Sequence, residues 1–87
     1  MKIHESTLTR IFTEDIQGTR FLVDQFFEGY TLFHATGLWK GKPEQSLCIE
    51  IADADQTLIL ALVRVIKEKN RQESVLVQTL PIQAIFL

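Results

Sequence analysis

A single cysteine, Cys48, stands in the whole sequence, so no disulfide can form within one chain and a cluster held by several thiolates is excluded. Nor is there an excess of charge of one sign. Nine basic side chains face eleven acidic ones, a net charge of −2, which leaves no long-range field to gather nucleic acid or an anionic membrane. The opening Met1-Lys2-Ile3-His4-Glu5 lacks the apolar core of a signal peptide, and no apolar run is long enough to span a bilayer. A reducing, cytoplasmic setting without membrane insertion is therefore expected. Low-complexity linkers and a strong internal repeat are missing too, and 87 residues leave room for one domain only, residues 1–87.

What is present is a globular composition, 46% apolar and 23% charged, enough to build a core. From Ile3 to Phe12 the set Ile3, Glu5, Thr7, Thr9 and Ile11 alternates with His4, Ser6, Leu8, Arg10 and Phe12, the period of a strand. Thr13 followed by Glu14 and Asp15 reads as an N-cap, with Ile16, Leu22, Val23, Phe26 and Phe27 as the apolar face of a first helix and Gly29 as its left-handed end. Two strands follow, Tyr30 to Trp39 and Ser46 to Ala52. Gly41 and Pro43 turn the chain between them, so Lys40 to Gln45 is expected to be a mobile hairpin tip.

Asp53 or Asp55 can cap a second helix, with Gln56 three residues after Asp53 in the spacing of a capping box. Leu58, Ile59, Leu62, Val63 and Ile66 form its apolar stripe, Lys67 and Lys69 suit its negative end, and Asn70 can close it. Ser74 to Thr79 is a fourth strand, which Pro81 should interrupt, leaving Ile82 to Leu87 as an apolar tail. The order is βαββαβ. Right-handed crossovers then make an α+β, ferredoxin-like sandwich, a four-stranded antiparallel sheet with both helices on one face.

The stretch Gly37-Leu38-Trp39-Lys40-Gly41-Lys42-Pro43-Glu44 resembles the CutA divalent-cation-tolerance proteins, where a similar Trp-x-Gly-Lys run joins the two middle strands. The wider run from Phe26 to Val77, with Gly29-Tyr30-Thr31 and Gln72-Glu73-Ser74-Val75-Leu76, is similar to an uncharacterised bacterial family of the same element order. Together they cover about half the chain and resemble the PII-like branch of ferredoxin-like folds. The resemblance implies a homotrimer in preference to a dimer, with ligands bound near subunit clefts. The sequence departs from PII signalling proteins in two ways: the Lys40–Gln45 connection is much shorter than their partner-binding loop, and no nucleotide-phosphate signature is present.

Trp39, Lys40, Lys42 and Glu44 put a flat aromatic, two cations and a carboxylate close together, a candidate rim for a small polar or anionic ligand; the alternative is a hairpin anchored by Trp39 with solvated charges. The side chains of a zinc or copper site occur at His4, His34, Cys48 and Glu50, without the paired spacing of recognised metal motifs. Pairing of the middle strands would bring His34 toward Cys48 and Glu50, and these three are the candidate ligands of a divalent metal. A buried Cys48 and a hydrogen-bonded His34 are the alternative, and the sequence requires no cofactor. No nucleophile can be nominated: Ser6, Ser46 and Ser74 lack an elbow context, and Cys48 lies within a strand. Asp53 and Asp55 fit capping better than acid–base work, and Arg71, Gln72 and Glu73 make either a polar turn or a cleft wall.

Three functions are open at this point. The chain is a ligand-binding or regulatory module of the PII-like kind, a self-assembling interaction protein without a ligand, or, less in keeping with the residues, a small enzyme. Self-association has its own argument, because Leu32 with Phe33, and Val75 with Leu76 and Val77, put apolar groups on both sheet faces while two helices cover one.

Overall fold

The alternation that begins at Ile3 makes a strand whose second half, from Thr9 to Thr13, has one buried and one open side, and the remainder of the fold is arranged around it. A computed structural model describes residues 2–87. Its elements are β1 (Lys2–Glu14), α1 (Thr19–Asp24), β2 (Thr31–Trp39), β3 (Lys42–Ala52), α2 (Gln56–Lys69) and β4 (Leu76–Phe86). The four strands form one sheet in the order β2-β3-β1-β4 with every neighbouring pair antiparallel, the ferredoxin-like α+β arrangement expected from the element order.

Thr9, Ile11 and Thr13 of β1 and Leu47, Ile49 and Ile51 of β3 are buried on one face of the sheet. Ile11, Ile49 and Ile51 form a single core with Val23 of α1 and Ile59, Leu62 and Ile66 of α2, and Leu32 and Val77 pack against its edge. Both helices therefore cover that face. Because the ladders run without a break, the intervening residues face the other way and line up in rows across the strands. Leu76, Phe12, Cys48 and Phe33 make one apolar row, and Leu80, Leu8 and Ala52 another. Between them runs a polar row, Gln78, Arg10, Glu50 and Thr31. Among the described residues no helix covers this open face.

Six local expectations are corrected. Thr13 does not cap a helix: it pairs with Leu47 in the ladder, and its buried hydroxyl donates to Gln72 Oε1. The tertiary ladder outweighs a capping signal worth about 1 kcal/mol. The first helix is only six residues long and starts after Gly18, whose φ of 96° is open to glycine and costly for other residues, so Ile16 lies outside it. Gly29 has no positive φ; the turn after α1 is closed instead by Phe26 and Phe27 N–H groups donating to Val23 O at 2.9 and 3.0 Å.

The cap of α2 is Asp55, which accepts from Thr57 N–H at 2.7 Å, while Asp53 donates its own N–H to Thr7 O and Gln56 reaches Thr9 instead of completing a capping box. Asn70 closes the helix as expected. The chain between the middle strands turns on Lys40 and Gly41 alone, with φ of 50° and 77°, the two positive values of a type I′ hairpin. Pro43 is inside β3, opposite Leu38, where β1 has already ended and a missing N–H breaks no second ladder. Pro81 likewise does not interrupt β4. That strand is at the sheet edge, where proline is tolerated, and it continues opposite Thr7 until Phe86 meets Lys2. The apolar tail is thus the second half of β4.

Candidate functional site

The last partner of β3 on β1 is Ser46, opposite Glu14, so residues 36–39 and 42–45 pair only with each other and project from the sheet as a two-stranded arm. Thr36 and Gln45 are joined across it by a side-chain bond of 3.4 Å. At the tip Lys40 Nζ lies 5.7 Å from the centre of the Trp39 ring, within reach of a cation–π attraction, and Trp39 is 64% exposed. Trp39 faces Lys42 and Gly37 faces Glu44, so alternation puts Trp39, Lys42 and Glu44 on one side of the arm, continuous with the open face. Leu38 and Pro43 take the other side.

At the base of the arm a cleft of about 380 Å³ is lined by Thr13 and Glu14 from β1, Glu44 and Ser46 from β3, and Gln72 and Ser74 from the connection after α2, with Phe12 and Leu76 as apolar floor. Gln72 is held in place from several directions. Its carboxamide oxygen accepts from the Thr13 hydroxyl, its Nε2 donates to Ser74 O at 3.4 Å, and its backbone N–H donates to Lys67 O at 3.0 Å. Asn70 Nδ2 binds Thr19 Oγ1 at 3.1 Å and so ties the same connection to α1. A neighbouring hollow of about 450 Å³ shares Glu14, Glu44 and Ser46 and adds Asp15, Ile16 and Gln45. The two spaces together are rich in hydroxyl, carboxamide and carboxylate groups, and neither is lined by a cation.

Of the four rim residues expected from sequence, Glu44 lines the cleft; Trp39, Lys40 and Lys42 stand beyond it on the arm. Among Arg71, Gln72 and Glu73, only Gln72 lines the cleft. Thr13, Glu14 and Ser46 are among the members that sequence reasoning missed as site residues. Their signal was the length of β1 and β3, since each enters the cleft where its strand outruns a neighbour.

The three expected metal ligands are not brought together. His34 is opposite Leu47, on the helix-covered side, where its Nδ1 lies 3.0 Å from Asp15 Oδ2; Cys48 and Glu50 belong to the open face. The sheet separates them. Cys48 is fully buried, and burial, followed by the charge of Glu50, pushes its thiol pKa up against the smaller opposing pull of Arg10. A neutral thiol is a poor ligand and nucleophile. Glu50 accepts from Arg10 Nε at 2.7 Å. Among the described residues no group of three or more His, Cys, Asp or Glu side chains is placed to hold a metal ion.

No family model matches the sequence, and no curated protein matches it by sequence. Solved structures do match its shape. CPII, a nitrogen regulatory PII-like protein from Thiomonas intermedia bound to ADP, AMP and bicarbonate, is similar over 99% of both chains at a TM-score of 0.66 and 19% identity. A DUF3240 family protein from Shewanella baltica is similar at a TM-score of 0.62 and 16% identity, over 88% of this chain and 89% of that one. CutA from Synechococcus elongatus, complexed with Bis-Tris, reaches a TM-score of 0.69 at 8% identity, over 97% of this chain and 90% of its own. The strand order, the placement of both helices and these matches agree: the chain has the ferredoxin-like fold of the PII-like and CutA-like proteins.

Proposed function

We propose that the chain is a small regulatory module of the PII-like kind, which binds a small polar or anionic ligand at the base of the hairpin arm. The observation that carries this reading is the cleft itself. Three segments distant in sequence converge there, in a fold shared along 99% of its length with a PII-like protein bound to ADP, AMP and bicarbonate. The chemistry of the lining narrows the ligand. Thr13, Ser46, Gln72 and Ser74 offer hydroxyl and amide groups, Glu14 and Glu44 accept from ligand hydroxyls or amines, and an anionic group finds its cations at Lys40 and Lys42 on the arm. Cys48, neutral and buried, offers no nucleophile, and no catalytic step is part of the proposal.

The working form in this reading is a homo-oligomer in the cytoplasm, a trimer in preference to a dimer. Its support is surface. A compact 10.0 kDa monomer exposes about 5,200 Å², whereas this chain exposes 6555 Å². The surplus exceeds the roughly 800 Å² that each partner contributes to an interface of standard size. Phe33 and Leu76, 40% and 56% exposed, sit on the open face where a second copy would cover them. The same surplus favours a second reading, in which self-assembly is the whole function and no ligand is involved.

Thermal unfolding with ADP, AMP and bicarbonate as probes separates the two. Binding to the folded form stabilises it by about 2.7 kcal/mol at a hundredfold excess over Kd, so one probe should raise Tm by several degrees. The shift should be lost in Gln72→Ala, which removes a cleft wall, and reduced in Trp39→Ala. No shift with any probe, in a chain that still self-associates, favours the second reading.

A further inference from the structure

The central part of the open face carries two apolar rows with a polar one between them. Gln78, Arg10, Glu50 and Thr31 cross all four strands as a polar row, one residue from each strand, with an apolar row on either side. Rows on one face of a sheet lie about 7 Å apart along the strands, so a surface that covers both apolar rows cannot leave the polar row in water. At its centre Arg10 Nε donates to Glu50 Oε2 at 2.7 Å, with the two side chains 38% and 21% exposed. The bond engages one of the five guanidinium donors, which leaves the pair able to take further hydrogen bonds as it is desolvated.

We infer that the Arg10–Glu50 pair and its polar row fix the register and stoichiometry of self-association through the open face. The inference rests on the self-association proposed above, and its occupant is a second copy of this chain, argued from the surface surplus. Two smooth apolar faces can slide over one another with little change in buried area. A charge pair bounded by hydrophobic rows cannot, because any register that sets it against Phe33 or Leu80 of a neighbour strips its water without supplying partners. Only registers that place polar row against polar row give the remaining guanidinium donors and carboxylate lone pairs partners in place of water. A polar group held at one position of an apolar interface selects one assembly at some cost in affinity.

The test measures stoichiometry by native mass spectrometry and dissociation by sedimentation for the wild type, Arg10→Met, Glu50→Leu and the double variant. Each single variant should raise the dissociation constant by about tenfold or more, since it strands one charge at a covered surface. The double variant should recover affinity to within about threefold of the wild type yet spread over two or more stoichiometries. Glu50→Gln, which keeps an acceptor at the same place, replaces Glu50→Leu if that variant does not show a cooperative thermal transition as a dilute monomer. Single variants that associate as tightly as the wild type, or a double variant with one unchanged stoichiometry, overturn the inference while the self-association stands. A wild type monomeric at high concentration overturns both.

Discussion

Arg71 adopts φ 53° just after α2, where Gln72 N–H returns to Lys67 O and Arg71 N–H to Glu68 O at 3.3 Å. This is the paired closure that glycine makes most easily, and a side chain there stores about 1 kcal/mol of strain. Arg71→Gly relieves the strain and gives back part of the gain as unfolded-state entropy, for a net stabilisation of about 0.5 kcal/mol and a Tm raised by a few degrees. A lower Tm on calorimetry would mean that contacts of the arginine side chain outweigh the backbone strain. Cys48 sets a second expectation at this scale. Its pKa is raised in the folded chain, so the native state keeps a proton that the unfolded state releases. The contribution is fully present below the ordinary thiol range near 8.5 and is lost as pH rises through the folded value. Stability measured from pH 8 to 9.5 should therefore decline, and Cys48→Ala should flatten the decline.

Helices and strands differ in how openly the sequence announces them. The stripe from Leu58 to Ile66 places Ile59, Leu62 and Ile66 in the core as its spacing implies, because fourteen residues with one apolar face have a single way to pack. The first helix was harder to see. Its cap signal at Thr13 lies inside a strand whose continuation is decided by pairing with residues 34 positions away, a fact no local window contains. Both prolines misled for the same reason, since whether a missing N–H matters depends on which side of the strand has a neighbour. At the candidate site the arm residues were visible as a cluster, whereas Thr13 and Ser46 became legible only once strand lengths were known. The hairpin itself gives a prediction narrower than a mobile tip. Amide exchange should be fast at Lys40 and Gly41 and slower at Thr36 and Gln45, with the slowest amides in β3 beside Ile49; uniform fast exchange from Thr36 to Gln45 would show that the arm is unpaired in solution.

As a whole the molecule is thin and long, 43 × 30 × 18 Å, with a radius of gyration of 13.9 Å against about 12 Å for a compact chain of its length. The least dimension is that of one sheet and one helix layer, with nothing on the far side. Association through that side couples unfolding to protein concentration, so Tm should rise by several degrees between micromolar and millimolar chain. Leu76→Lys, at an exposed position in an apolar row, should abolish the concentration dependence while leaving the dilute Tm within about 2 °C, because surface changes outside the core are nearly neutral. A Tm independent of concentration in the wild type counts against self-association through this face.

The ladder between β1 and β4, which joins Lys2 to Phe86, has a consequence for how the chain reaches its native state. The segment from β2 to the end of α2 is local: the hairpin needs only a two-residue turn, and the helix only its own stripe. The central strand must close a loop of about 40 residues to find β3, and the edge strand must then cross nearly the whole chain, so most entropy is spent before those contacts form. Refolding should accordingly be slow for an 87-residue chain, and a hairpin and helix formed ahead of β1 would leave the backbone edge of β3 briefly unpaired. For that interval the unpaired β3 edge, not the finished sheet, is the part of the protein most exposed to wrong partners.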